Sequence, residues 1–185
     1  MRAKLAYSWN VGVMRRVCLF GAPAALLLRV APAMAFDGPG YRSRLEALKA
    51  EIGTKMLADP SVTLGRLDEL IVLGAAGTRE YGASHAKFAK LMDTVAAGAA
   101  EMKGFSDAEI EAKWGESGSG GDAIGIPLKT LGQWDETRAA MELTVGPAHA
   151  YILVKKWVTA QKARWLEQAR DELNELTEHL KKLSS

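Results

Sequence analysis

Hydrophobic residues recur at intervals of three and four along most of this chain, which is the spacing of one face of an α-helix. The first such stretch runs from Tyr41 to Leu57, with apolar residues at positions 41, 45, 48, 52 and 56. Asp59 and Pro60 are expected to end this helix, and Ser61 is expected to cap the next one. The pattern therefore predicts two consecutive helices before residue 85.

The second helix is expected to loosen where three glycines interrupt it, at Gly74, Gly77 and Gly82. Ser84 then opens a predicted third helix, in which positions 85, 88, 92, 95, 99 and 102 share one face. His85 and Met92 are on that face, so both are expected to point into the core. Further along, Ser106 and Glu109 have the spacing of a capping box, which predicts a short helix ending near Trp114.

Residues 115–133 are rich in glycine and are expected to form a long irregular loop, because glycine disfavours regular helix. Trp114 and Trp134 bracket this loop, and Ile124 and Ile126 give it apolar surface of its own. We expect the loop to lie as a flap over one end of the molecule. Loops of this length often carry function, so a ligand-gated flap is one hypothesis.

The C-terminal third of the chain predicts a long helix that reaches Leu183. Two alternatives fit Pro147: it begins a helix of about ten turns, or it kinks a longer helix that starts at Trp134. A regular leucine pattern ends the chain, at Leu166, Leu173, Leu176, Leu180 and Leu183. These leucines either pack within the chain or dock onto a second copy or a helical protein partner.

Alternation with period two, the pattern of a half-buried strand, does not persist over any long stretch. The chain is therefore predicted to be all-α, as an antiparallel helical bundle of about four main helices with a Gly-rich loop and a long C-terminal helix. Its 185 residues suit one domain. That domain is expected to cover residues 36–185, because residues 1–35 have a different pattern.

Residues 1–35 are typical of a cleavable secretory signal peptide. Arg15 and Arg16 precede a short apolar run from Val17 to Leu28, and Ala33-Met-Ala35 matches a cleavage site. The run is too short for a stable membrane anchor, so a periplasmic or secreted location is expected. The arginine pair leaves twin-arginine export open beside the general route.

Removal of residues 1–35 changes the charge of the chain. These residues contain five of the 24 basic residues and none of the 22 acidic ones, which leaves the mature chain 19 basic residues and a net charge of −3. A basic surface for nucleic acid is therefore not expected. The single cysteine, Cys18, would be lost as well, which excludes thiol nucleophiles and cysteine-ligated metal in the mature chain.

Histidine and methionine supply the candidate cofactor ligands. His149 and Met141 fall close to one helix face, and His85 and Met92 fall on another. Imidazole and thioether ligands in a bundle core are suited to haem b or copper. The alternative is that the methionines fill the core and that each histidine is simply hydrogen-bonded, so no cofactor is the first expectation.

Acidic residues are frequent, but their spacing indicates solvated helix faces, as in Glu111 with Glu116 or Glu172 with Glu175. His179, near the C-terminus, is expected at the surface. The leading functional hypothesis is an exported, non-catalytic bundle with a binding or scaffolding role. A haem or copper carrier and a ligand-sensing domain gated by residues 115–133 are the alternatives.

Overall fold

The computed structural model describes residues 36–53 and 56–183, and the leader predicted over residues 1–35 lies outside this range. Within it the chain forms helices and no strand. The α-helices are α1 (Gly38–Ile52), α2 (Pro60–Ser84), α3 (Ala89–Ala97), α4 (Ala99–Met102), α5 (Asp107–Trp114), α6 (Asp135–Ala160) and α7 (Ala163–Lys182). Two short 3-10 helices, Asp122–Ile124 and Leu128–Gln133, lie between α5 and α6.

Four of these helices form the bundle: α1 packs on α2, α2 on α6, α6 on α7, and α7 on α1. Paired contacts give the directions. Thr78 and Tyr81 of α2 form hydrogen bonds with residues 140 and 137 of α6, so the residue numbers run in opposite directions and the two helices are antiparallel. The same holds for α6 and α7, where Asp135 pairs with Lys182 and His149 pairs with Glu172. The all-α bundle predicted from the sequence is confirmed.

The first two helices differ from the prediction at their ends. Ile52 ends α1, and Met56 is 73% exposed instead of continuing the buried face. The side chain of Asp59 accepts hydrogen bonds from the amides of Ser61 and Val62, so Asp59, and not Ser61, is the N-cap of α2. Pro60 occupies the first turn of α2, where its missing amide costs nothing.

The glycines of α2 bring it close to α6 and do not loosen it. A methyl group on Gly74 would overlap the carbonyl oxygen of Leu143, and one on Gly77 would lie 2.9 Å from the Leu143 side chain. Their lack of a side chain lets the two backbones approach closely. Packing outweighs the low helix propensity of glycine, so α2 continues to Ser84.

Pro147 lies inside α6, which is continuous from Asp135 to Ala160. Proline has no amide hydrogen, so the carbonyl of Leu143, four residues earlier, loses its helical partner. The hydroxyl of Tyr41 in α1 donates to that carbonyl at 2.8 Å in the buried interior. Between the two sequence alternatives, a helix that runs through Pro147 is confirmed.

The predicted continuation to Leu183 as one helix is wrong. Gln161 adopts a left-handed backbone with φ of 52°, and the chain reverses before Ala163. Because α7 folds back along α6, the leucine pattern is covered within the chain. Four of its residues are at most 4% exposed in a core shared with α1 and α6, namely Leu166, Leu173, Leu176 and Leu180; Leu183 is partly buried there.

The segment between α5 and α6 is more ordered than an irregular loop, since it contains the two 3-10 helices. Leu128 and Leu131 are 1% exposed, and Ile124 and Ile126 pack partly buried against the same core. The capping box of Ser106 and Glu109 that was predicted for α5 is present. None of the described helices combines the length and apolar character needed to span a bilayer.

Candidate functional site

A polar cavity of about 230 Å³ lies between α5, α6 and α7. Residues one helical turn apart on each helix line it, and α6 contributes Arg138, Glu142, Val145, Gly146 and His149. Gly146 keeps this wall open, because a methyl group at that position would come no closer than 3.9 Å to any side chain. Eight of the fourteen residues that line the cavity have ionisable side chains, in contrast to the apolar cores of the molecule.

His149 is held between carboxylates. Its Nε2 lies 2.7 Å from Asp107, and its Nδ1 lies 3.2 Å from Glu172 and 3.6 Å from Glu111. Burial alone lowers the pKa of this imidazole, but bonding to Glu172 and Asp107 outweighs burial and raises the pKa to about 9. His149 is therefore a cation at neutral pH and donates through both ring nitrogens.

Asp107 links this histidine to a lysine. Its second carboxylate oxygen accepts from Lys156 at 2.9 Å. Partial burial raises the pKa of Asp107, while the hydrogen bonds from His149 and Lys156 lower it, and the net direction is downward. The carboxylate stays ionised and fixes the orientation of the imidazole ring.

Glu142 is the most buried acid of the cavity, at 9% exposed. Arg138, one turn earlier on α6, donates to it through Nη2 at 2.6 Å. Burial raises the pKa of Glu142, the Arg138 charge opposes that rise, and the negative charge of Glu172 adds to it, so the pKa is about 7. Glu142 therefore exchanges a proton near neutral pH.

Three polar atoms of residues lining the cavity are buried without a hydrogen-bond partner among the described residues: Trp114 Nε1, Arg138 Nη1 and His179 Nδ1. Trp114 itself is only 1% exposed. A buried donor without a partner costs about 1–3 kcal/mol, so such atoms call for a reason. Each of the three atoms has less than 1 Å² of accessible surface, so other protein atoms cover it even though its residue lines the cavity.

The structure corrects the surface assignment of His179. This residue lines the cavity, and burial, followed by the positive charges of Lys182 and Arg138, lowers the pKa of its imidazole. Four glutamates that were expected on solvated faces also line the cavity. Three of them are exposed as expected, namely Glu111, Glu116 and Glu175, whereas Glu172 is partly buried.

The four candidate cofactor ligands do not share one pocket. His85 is exposed at the end of α2, where its ring stacks on Tyr81 at 3.9 Å, so the expectation that it faces the core is wrong. Met92 and Met141 are buried together in one apolar core, and His149 lines the polar cavity. The haem b or copper hypothesis stays a prediction, which a visible spectrum and metal analysis would test.

The cavity residues also differ from a set of metal ligands. Among the described residues, no group of three or more histidine, cysteine or acidic side chains is arranged to hold a metal ion. The ring nitrogens of His149 already face carboxylates and carry protons, whereas a metal ligand needs a free lone pair.

The two tryptophans that bracket residues 115–133 have different surroundings. Trp114 lines the cavity together with Gly115 and Glu116, so the start of this segment forms part of the wall. Trp134 is 43% exposed, contacts Phe88 edge-on and lies under the ammonium of Lys87 at 4.0 Å. Of the residues predicted for a ligand loop, Trp114 is thus the one at the cavity.

Sequence reasoning missed the central pair, although a signal for it was present. Glu142 is a lone acid within the apolar run from Ala139 to Val145, with Arg138 four residues before it. Glutamate is rarely buried without a partner, so this spacing marks a buried ion pair on a core-facing helix.

Comparisons with protein-family models, curated proteins and solved structures find no match for the chain.

Proposed function

We propose that this chain is an exported, non-catalytic binding protein that holds a small polar molecule in the cavity between α5, α6 and α7. The observation that carries the proposal is the polar cavity itself, whose wall contains the ion pair between the buried Glu142 and Arg138. Burying charged groups costs several kcal/mol each, and apolar residues of similar volume often stabilise a fold better. Binding of a ligand to these groups would explain why charged residues occupy this position despite the free-energy cost of burying them.

Binding is favoured over catalysis by the residues that line the cavity. Their side chains include carboxylates, two imidazoles, a guanidinium and an indole, and no hydroxyl, thiol or lysine amine among the described lining. Serine, threonine, cysteine and lysine nucleophiles are therefore absent from this lining. The cavity is better suited to recognition through hydrogen bonds and charge.

Export is supported by the surroundings of Phe36. Its backbone nitrogen donates to Glu80 Oε2 at 2.8 Å. Cleavage after Ala35 would convert that nitrogen into the α-ammonium group, so the new terminus would form an ion pair with Glu80. The intact mass of the protein recovered from an export-competent host tests this point: a chain starting at Phe36 is expected, and an uncleaved chain would contradict export.

The ligand-sensing hypothesis is a second candidate, favoured by the contribution of Gly115 and Glu116 to the cavity wall. A ligand there would restrain the segment between α5 and α6. Hydrogen exchange of residues 115–133 is expected to slow when a ligand binds. If hydrogen exchange of residues 115–133 does not change at saturating ligand, this segment does not sense the ligand and the chain only binds it.

Gly146 allows a direct test of the cavity. Gly146→Leu places a side chain in the open space, whereas Gly146→Ala adds one methyl group with no close neighbour and serves as the matched control. Both variants and the wild type are heated in the presence of a library of small polar compounds. A ligand at 100 times its Kd stabilises the folded state by about 2.7 kcal/mol.

The proposal expects at least one compound that raises the melting temperature of the wild type and of Gly146→Ala, but not of Gly146→Leu. Compounds that act equally on all three proteins bind elsewhere. A library in which every active compound behaves that way, or in which none is active, overturns the proposed function.

A further inference from the structure

A separate, mostly apolar groove lies between the turn before α5, the end of α6 and the start of α7. Its volume is about 390 Å³, which falls within the range of about 300–1,000 Å³ typical of small-molecule sites. Ile152 is the most buried of its lining residues, at 4% exposed, and Phe105 and Trp165 contribute partly buried aromatic rings. The groove shares no lining residue with the polar cavity, so the two are separate sites.

The charge around this groove is positive. Both of the charged residues that line it are lysines, Lys155 and Lys156. Lys162 and Arg164 follow closely in the chain, and the sequence has no acidic residue over positions 143–166. The mature chain is expected to carry a net charge of −3, so this concentration of positive charge is local. Charge complementarity therefore favours an anionic occupant.

The two lysines of the groove differ in how far they are already engaged. Lys156 donates to Asp107 at 2.9 Å and lies over the Trp165 ring at 4.2 Å. Lys155 is exposed and has no ion pair within the described part of the chain, and its hydrogen bond to the carbonyl of Lys103 is long, at 3.4 Å. An ammonium group has three donors. Lys155 can therefore bond to an anion without giving up an ion pair.

The shape of the groove favours a small molecule over a membrane surface. Binding to a membrane interface relies on an apolar helix face that projects into the lipid. Here Phe105, Ile152 and Trp165 are wholly or partly buried around a concave space. An occupant must enter that space, which requires a compact apolar body.

We propose that this groove binds a small carboxylate with a compact apolar body. The body packs against Phe105, Ile152 and Trp165, and the carboxylate accepts a hydrogen bond from Lys155. This binding site is additional to the polar cavity and does not depend on which molecule the cavity holds.

Calorimetric titration of the chain with matched probes tests both parts of the ligand. 3-Phenylpropionate and 4-methylpentanoate carry an apolar body and a carboxylate. 3-Phenylpropan-1-ol has the body without the charge, acetate has the charge without the body, and 3-phenylpropylammonium has the opposite charge. At least one of the two acids is expected to bind, and each of the other three probes is expected to bind about tenfold more weakly or less. Added salt is expected to weaken binding of the acid, since charge attraction contributes to it.

Two variants separate the charged and apolar parts of the groove. Lys155→Met removes the ammonium and keeps an unbranched side chain, so it is expected to weaken binding of the acid about tenfold. Lys129→Met, at an exposed position outside the groove, is its matched control and should leave binding unchanged. Trp165→Leu removes apolar surface and is expected to weaken binding too, whereas Trp134→Leu is not. Lys155 is exposed, so its variant carries the test if Trp165→Leu does not fold.

The inference is overturned if neither acid binds, if Lys155→Met binds the acid as tightly as the wild type, or if 3-phenylpropan-1-ol binds as tightly as 3-phenylpropionate. Sedimentation with phosphatidylglycerol vesicles by a chain that ignores both acids also overturns it, in favour of a membrane surface.

Gly146→Leu separates this inference from the proposed function. Because Gly146 lines the polar cavity and not the groove, the acid is expected to bind Gly146→Leu as tightly as the wild type. Loss of binding in that variant would place the acid in the polar cavity, which overturns the inference and supports the proposed function. Failure of both acids leaves the outcome of the Gly146 comparison unaffected.

Discussion

At the scale of single residues, this fold depends on a small number of polar contacts that compensate for helix irregularities. Pro147 leaves the Leu143 carbonyl without its helical partner, and the Tyr41 hydroxyl replaces that bond from another helix. Burial, reinforced by the charge of Glu142, raises the pKa of the Tyr41 phenol, which keeps it protonated and able to donate. One hydrogen bond thus connects α1 to the irregular point of α6.

Removal of this bond should cost stability. Tyr41→Phe leaves the buried carbonyl unsatisfied and is expected to lower the free energy of unfolding by about 1–3 kcal/mol, measured by urea denaturation. In a Pro147→Ala background the new amide bonds to the same carbonyl, so the loss should shrink by at least half. An equal loss in both backgrounds would show that Tyr41 stabilises the fold in some other way.

His149 predicts how stability depends on pH. The pKa of His149 rises from an ordinary 6.5 to about 9 on folding. Its contribution to the free energy of unfolding is therefore complete below pH 6.5 and is lost as the pH rises through 9. Unfolding midpoints in urea are therefore expected to fall between pH 7 and 9. The acids that face His149 are Asp107 and Glu111 from α5 and Glu172 from α7, and the hydrogen bonds from His149 and Lys156 lower the pKa of Asp107.

The variants make this prediction specific. His149→Gln is expected to start with a lower midpoint at pH 7 and to lose the decline between pH 7 and 9. His85→Gln, which alters an exposed histidine at the end of α2, should retain the decline. A decline that persists in His149→Gln would mean that another group causes it.

At the scale of helices, close approach between α2 and α6 organises the bundle. Gly74→Ala forces a methyl group into the Leu143 carbonyl and is expected to cost about 1–3 kcal/mol in the free energy of unfolding. Gly65→Ala is the matched control, because Gly65 is exposed on the same helix with no atom near its added methyl. That change should stabilise by up to about 1 kcal/mol. Similar effects at both positions would contradict the close packing.

Periodicity in the sequence predicts these helices well but not where they end. The apolar pattern continues from α6 into α7 because both helices face the same core, so it gives no sign of the reversal at Gln161. Likewise, spacing placed Glu172 and Glu175 on one face of α7 without showing that α5 and α6 enclose that face. Local order could be predicted from the sequence, whereas the cavity depends on contacts between distant segments.

At the scale of the whole molecule, the bundle separates an apolar core from a polar cavity. The leucines of α7 pack on α1 and α6 within the chain, so removal of residues after Leu166 is expected to unfold the protein and not merely to dissociate an oligomer. Loss of the helical circular dichroism signal would confirm this. A truncated chain that keeps its helicity would show that α7 is not part of the core, and a partner role for its leucines would then become the leading hypothesis.

The central claim is that the cavity between α5, α6 and α7 binds a small molecule. The most direct measurement follows the indole N–H signals in a ¹H–¹⁵N spectrum while the compound selected by the Gly146 comparison is added. The signal of Trp114, assigned from Trp114→Phe, is expected to shift and saturate, while that of the exposed Trp134 stays in place. A Trp114 signal that does not move at saturating compound would contradict the account.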